Sequence, residues 1–212
     1  MCGRYELKTN FNDLPELFRQ NSPKDLDKYY DQRPLIIPSD PVLVLKQENL
    51  KINSSIMLWG LLSEWSKDPI KSYKPFNARA ETVTLKPSFR SSWRYRRCLL
   101  PASAFFEKGK KIRRKDSQPF WLAGLWNRWL GSDGSEIESC TIITTSSNTL
   151  IKPFHNRMPV IIPQGLETVW LADCFGEELR SLESLLSTWS GKEWILESIP
   201  PKELTQKQMQ LF

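Results

Sequence analysis

A chain of 212 residues with 40% hydrophobic residues and nine Trp can bury a substantial core, which excludes a disordered polypeptide. Its 30 Lys and Arg against 24 Asp and Glu leave a net charge of +6, which favours a polyanionic partner, nucleic acid or an acidic membrane face. On a chain this long the same excess is also ordinary solubility charge, so it decides little alone. No charged lead-in followed by an apolar core opens the chain, so no signal peptide is expected. Apolar runs such as Pro159 to Pro163 are far too short to span a bilayer, so no membrane partner is expected. The expected location is the cytoplasm, with nucleoid association in a bacterium. Cys2, Cys98, Cys140 and Cys174 form no C-x-x-C pair. Their spread argues against a zinc site and, in a reducing cytosol, for free thiols.

In chain order, residues 10–20 (NFNDLPELFRQ) predict a short helix, with Leu14, Leu17 and Phe18 on one face and Asn12 or Asp13 as cap. Residues 21–40 are polar and broken by proline, and read as a loop. PVLVL at 41–45 predicts a strand, paired with INSSIMLWG at 52–60 across a turn near Asn49. Residues 61–80, with Trp65, Pro69, Pro75 and Asn77, read as a long irregular stretch of the kind that often carries function. LKPSFRSSW at 85–93 predicts a helix, and CLLPASAFFE at 98–107 a strand running into something tight. The basic run KGKKIRRK at 108–115 reads as an exposed hairpin tip. QPFWLAGLW at 118–126 and IESCTIITTSS at 137–147 predict strands separated by the GSDG turn at 131–134. Residues 165–172 and 177–187 are helical by spacing, and WILESIP at 194–200 is a last strand. Five or six strands with short helices between them, and no repeat or linker, predict one α+β domain over 1–212, built on a mixed or antiparallel sheet.

Several residues carry candidate chemistry. Cys2 would begin the mature chain once Met1 is removed. The chain would then open with an α-amine, of reference pKa about 7.7–8.0, beside a thiol of about 8.5. That pair can close a thiazolidine on an aldehyde. Alternatively the amine can act as base for its own thiol, as in N-terminal-nucleophile hydrolases. Against both stands the plain alternative that a terminal residue is frayed and idle. His155 is the one histidine of the chain and the leading proton shuttle near neutral pH. Arg157 would share its face on an extended segment. Glu107 ends an apolar strand, where it is either a desolvated acid or base or a charge pointing into water beside Lys108. In NARAET at 77–82, Asn77, Arg79 and Glu81 alternate and would line one face of a strand. Trp65 could stack a base or cap the core.

MCGRY at 1–5, WGLLSEW at 59–65, NARAET at 77–82, CLLPASAFFE at 98–107, ITTSSN at 143–148 and HNRMPVII at 155–162 stand in an order that resembles the SRAP (SOS response-associated peptidase) family. The match covers nearly the whole chain. MCGR, NAR-ET and H-x-RMP are weak singly and specific together. The resemblance implies a β-rich, barrel-like α+β domain with short flanking helices and a basic groove. It implies a monomer that binds single-stranded DNA containing abasic sites and crosslinks to the lesion through a Cys2 thiazolidine, with an AP-lyase side activity and no metal or other cofactor. By position, Cys2 would be the crosslinking residue. Asn77 would orient amine and sugar, Glu107 would open the sugar ring, and His155 would move protons and assist reversal. Arg4, Arg79 and Arg157 would hold phosphates, with Trp65 packed on the DNA. A cysteine-type peptidase using Cys2, including self-processing, is the alternative. The chain departs from the family pattern at Leu35, Ser63, Ser103, Ala104 and Lys108, and is shortened after Pro200.

Overall fold

The PVLVL and INSSIMLWG runs do form a hairpin, and its turn explains their register. In the computed structural model, which describes residues 2–199, Asn49 and Leu50 both take left-handed φ (52° and 62°). A two-residue turn of that hand matches the twist of the flanking strands. Met1 and the residues from Pro200 onward lie outside the described residues, and with them the expected removal of Met1 and the shortened C-terminus.

Thirteen strands form among the described residues, where the sequence predicts five or six. They are β1 (Tyr5–Leu7), β2 (Arg33–Ile36), β3 (Pro41–Glu48), β4 (Lys51–Trp59), β5 (Asn77–Arg79), β6 (Arg97–Ala102) and β7 (Ala104–Glu107). After them come β8 (Lys110–Arg114), β9 (Phe120–Leu130), β10 (Glu136–Ser146), β11 (Arg157–Pro159), β12 (Ile161–Ile162) and β13 (Trp194–Ser198). Many are short and lie next to a strand distant in sequence, so periodicity had no length over which to show them. Five of them close a barrel: β3 pairs β4, β4 pairs β10, β10 pairs β9, β9 pairs β6, and β6 pairs β3. The β4–β10 pair is parallel and the other four antiparallel, so the α+β, barrel-like expectation holds with a mixed sheet. So narrow a barrel leaves no room at Gly124, where a Cβ would meet Leu100 Cδ1 at 2.7 Å and Cys98 Sγ at 2.9 Å.

A second sheet runs β13-β8-β7-β1-β2. The run CLLPASAFFE feeds both sheets and breaks between them at Ser103. There the Ser103 N–H donates to the Glu6 carbonyl (2.8 Å) and Ser103 Oγ accepts the Lys8 N–H (2.8 Å). The basic run is not a hairpin tip. The turn is Lys108 and Gly109 alone, both at positive φ, and the residues after it form β8 between β7 and β13. Residues 21–40 are not all loop either, since they contain α2 (Leu26–Tyr29) as well as β2. β2 ends its sheet, where Pro34 costs no ladder hydrogen bond.

The segment 10–20 divides into a 3-10 turn (Phe11–Asp13) and α1 (Glu16–Gln20). Pro15 stands at the α1 N-cap, so neither Asn12 nor Asp13 caps it. Leu14 and Phe18 are buried as predicted. The remaining helices are α3 (Pro87–Tyr95), α4 (Glu167–Leu171) and α5 (Gly176–Ser181). The rest of the predicted 177–187 helix tightens to a 3-10 turn at Leu182–Leu186. Among the described residues no helix is long and apolar enough to cross a membrane.

An ion network lies across β3, β4, β9 and β10, with Lys46 buried and its charged partners partly exposed. Lys46 Nζ contacts Glu138 at 2.5 Å and Glu48 at 3.0 Å, and lies 4.0 Å from the Trp126 ring centroid. Arg128 reaches Glu48 (2.9 Å) and Glu138 (2.8 Å), and Ser55 Oγ donates to Glu138 (2.8 Å).

Candidate active site

β1 is an inner strand of the second sheet, flanked by β2 and β7, so the residues just before it are drawn into the molecule. Cys2 is 1% exposed, which excludes the frayed-terminus reading. Asn77 Nδ2 donates to the Cys2 carbonyl at 2.9 Å, tying the start of the chain to β5. Burial, reinforced by the charge of Glu107, pushes the Cys2 thiol up to about 12. A thiolate in an apolar surround loses its hydration, and the positive charge at the N-terminus of the chain only partly opposes the rise.

Glu107 is the last residue of β7 and 9% exposed, so of its two readings the desolvated carboxyl is the one the fold adopts. Its Oε1 lies 4.0 Å from His155 Nε2. Arg4 is half-buried; burial lowers its pKa, and the Glu107 charge opposes that shift. The sheet supplies this proximity, because the Phe106 N–H donates to the Arg4 carbonyl at 2.9 Å. Cys2, Arg4, Asn77, Glu107 and His155 thus converge from β5, β7, the segment before β1 and the turn before β11.

His155 does not lie on an extended segment with Arg157. It ends a helical turn, its N–H bonded to the Ile151 carbonyl (3.0 Å), and β11 begins only at Arg157. The Arg157 backbone N–H donates to His155 Nδ1 at 3.0 Å. An Nδ1 that accepts this bond places the proton of the neutral ring on Nε2, toward Glu107, whereas the Arg157 carbonyl oxygen, 3.1 Å from the same Nδ1, suits the other tautomer. The Arg157 side chain turns to Glu81 instead, with Nη1–Oε1 at 2.5 Å and Nη2–Oε2 at 2.9 Å. Nη2 also donates to the Thr144 carbonyl at 2.5 Å. The hydrogen bonds from Arg157 hold the Glu81 carboxyl below its ordinary pKa.

Arg79 lies exposed on β5, two residues along the same face from Asn77. Glu81 does not continue that face, because β5 ends at Arg79 and a 3-10 turn (Ala80–Thr82) follows. Trp65 is 65% exposed on the irregular stretch, which also presents Ile70 and Tyr73 to solvent. The sequence reading missed Ile70 and Tyr73, and also the Glu81–Arg157 pair. The acid in NARAET and the arginine in HNRMP were the available signal, but their pairing depends on strands distant in sequence. The departures are placed as follows. Ala104 is buried, Ser103 makes the break between sheets, Leu35 is half-buried in β2, and Lys108 occupies the turn beside Glu107.

Two polar atoms of this region, Asn77 Oδ1 and Arg157 Nε, are buried without a protein partner among the described residues. Such a group costs about 1–3 kcal/mol until something satisfies it, a cost that binding sites tolerate. Among the described residues no cluster of His, Cys, Asp and Glu could hold a metal ion.

Fold and site together define a class: α+β proteins in which a cysteine near the start of the chain is buried beside a carboxyl that faces an imidazole, with an asparagine on its carbonyl. The chain belongs to the SOS response associated peptidase (SRAP) family, whose sequence profile matches residues 1–202. It is 37% identical over 180 residues to YoqW of Bacillus subtilis, an abasic site processing protein, covering 81% of this chain and 80% of YoqW. It is 36% identical over 185 residues to YoaM, an abasic site processing protein of the same bacterium, covering 81% of this chain and 79% of YoaM. The crystal structure of a Bacteroides thetaiotaomicron protein superposes with a TM-score of 0.80 at 25% identity, covering 95% of this chain and 93% of that one.

Proposed function

We propose that this chain processes abasic sites in single-stranded DNA by trapping the open-chain sugar aldehyde on Cys2, after removal of Met1. The observation that carries the reading is the burial of Cys2 beside Glu107, with its carbonyl held by Asn77. The amine reacts first, because the thiol is held protonated. The α-amine adds to the aldehyde carbon, and loss of water leaves a Schiff base. The Cys2 sulfur then adds to the imine carbon while its proton passes to the imine nitrogen, closing a thiazolidine. Glu107 is positioned to relay that proton and to assist opening of the sugar ring. His155, with its proton on Nε2, returns one to the sugar oxygen on reversal. Asn77 Oδ1 accepts from the amine or a sugar hydroxyl.

Arg4 and Arg79 contact flanking phosphates without reading sequence. Phosphate contact at Arg157 has to compete with a two-bond pair to Glu81. Trp65 stacks on an adjacent base. The Schiff base also explains an AP-lyase side activity through β-elimination. The peptidase alternative is weaker: YoqW and YoaM, which this chain resembles, are abasic site processing proteins.

The test is a denaturing gel after incubation with single-stranded DNA carrying one abasic site. The wild type gives a shifted band. Cys2→Ala and a chain with residues added ahead of Cys2 give none. A band in both variants would end the assignment.

A further inference from the structure

We infer that Glu81 is a positioning residue for His155, acting through Arg157, and that it selects the imidazole tautomer that faces Glu107.

The strand order brings Glu81 and Arg157 together. β5 and β11 pair with the same stretch of β10: β5 through Ile142, Ile143 and Thr144, β11 through Thr144, Thr145 and Ser146. Glu81, in the turn just past β5, therefore reaches across β10 to Arg157, the first residue of β11. The contact is a fork on a fork, which fixes the guanidinium in plane as well as in distance. Thr144 lies beneath the crossing. Its carbonyl takes Arg157 Nη2 at 2.5 Å, and its hydroxyl lies 3.4 Å from the same nitrogen. The Arg157 side chain is 15% exposed and its position is over-determined, whereas Glu81 is 49% exposed.

His155 depends on where the Arg157 backbone lies. Two groups of Arg157 stand near Nδ1: the N–H at 3.0 Å and the carbonyl oxygen at 3.1 Å. The N–H suits an unprotonated Nδ1 and the carbonyl a protonated one. Small rotations of this backbone thus decide which ring nitrogen carries the proton. Anchoring the Arg157 side chain to β5 and β10 restrains those rotations and keeps the N–H on Nδ1. The proton is then on Nε2, 4.0 Å from Glu107 Oε1, where it can enter the reaction. The other tautomer would present a lone pair to the Glu107 carboxylate and have no proton to give.

The consequence for rate rests on the proposed covalent capture; the tautomer does not, and this separates the two tests. His155 is the chain's one histidine, so its ring nitrogens give unambiguous signals in a ¹⁵N NMR spectrum recorded where the ring is neutral. The wild type is expected to show Nδ1 unprotonated. In Glu81→Gln the ratio of the two tautomers is expected to fall about five-fold, the scale of one ordinary hydrogen bond. Arg157→Lys, which keeps the charge and loses the fork, is expected to move it the same way. A half-exposed carboxylate contributes little to stability, so Glu81→Gln should fold. With abasic DNA, Glu81→Gln should slow capture or release by a similar factor, and should have no further effect in a His155→Ala background.

An unchanged tautomer ratio in both variants overturns the inference. So does additivity of Glu81→Gln with His155→Ala. If Glu81→Gln only tightens binding of undamaged single-stranded DNA, with the tautomer unmoved, Glu81 is a counter-ion for Arg157 and the inference fails. If wild type forms no covalent band while the tautomer shifts as expected, the proposed function fails and the positioning role stands.

Discussion

Two groups of charge in this molecule are built in opposite ways. Around Lys46, two basic and two acidic side chains touch one another at 2.5–3.0 Å, and Ser55 and the Trp126 ring occupy remaining directions. Around Cys2 the spacing is looser. Glu107 and His155 stand 4.0 Å apart, Asn77 Oδ1 is buried without a protein partner, and the thiol is held neutral. The first arrangement sets each charge against an opposite one at contact distance. The second leaves the Asn77 Oδ1 acceptor without a protein partner, at a cost in local stability. On the proposed function the first is structural and the second reactive, although both contain a glutamate beside a base.

The largest effect expected from testing this contrast is on the reactive side. Glu107→Gln should slow formation of the crosslinked band by about 100-fold or more, the scale of general acid–base catalysis, with little change in melting temperature. Equal rates in single-turnover time courses would remove Glu107 from the chemistry. On the structural side, Lys46→Met removes the buried cation, and Glu48 and Glu138, both partly exposed, keep Arg128. The expected loss is about 1.5–3 kcal/mol, the scale of hydrogen bonds to a charged group. That lowers the melting temperature by about 3–12 °C for a chain of this size. The capture rate of the folded protein should not move; if it does, the two regions are coupled and the contrast fails.

A third effect is on pH dependence. Burial alone would raise the Glu138 pKa, but hydrogen bonds from Lys46, Ser55 and Arg128 outweigh it and the net shift is downward. Glu48 is likewise lowered on balance, by bonds from Lys46 and Arg128 against burial. A carboxyl depressed by folding stabilises the protein above its unfolded pKa, and that contribution is lost as pH falls through the folded value. Melting temperatures measured from pH 6 downward should therefore drop below about pH 4.5, the ordinary value for glutamate, and the drop should be shallower in Glu138→Gln. The smallest effect is at His155: His155→Ala should leave the final crosslink yield nearly unchanged and slow its release in a competition chase. Unchanged release would take His155 out of the reversal step.

Much of the fold's local detail was legible before any coordinates. The β3–β4 hairpin followed from alternation and Asn49, the 131–134 turn from its glycines, and the buried face of the 10–20 segment from Leu14 and Phe18. The failures share a cause. KKIRR gave no strand pattern because its order comes from pairing with β7 and with β13, about 80 residues away. The break at Ser103 needed Glu6 and Lys8 from the other end of the chain. Barrel closure depends on the parallel β4–β10 pair, which has no local signature.

For the site the division is similar. Residue types alone placed Cys2, Asn77, Glu107 and His155 under suspicion, because chemistry resides in side-chain identity, and the motif order tied them to one family. The sequence therefore determined which reactive groups the protein has. Tertiary structure decided their state. It buried Cys2 and raised its thiol's pKa, and it buried Glu107. It also bound Arg157 to Glu81 across β10. Protonation and pairing depend on solvent exclusion and on distances between segments far apart in the chain, and neither quantity exists until the sheets have closed.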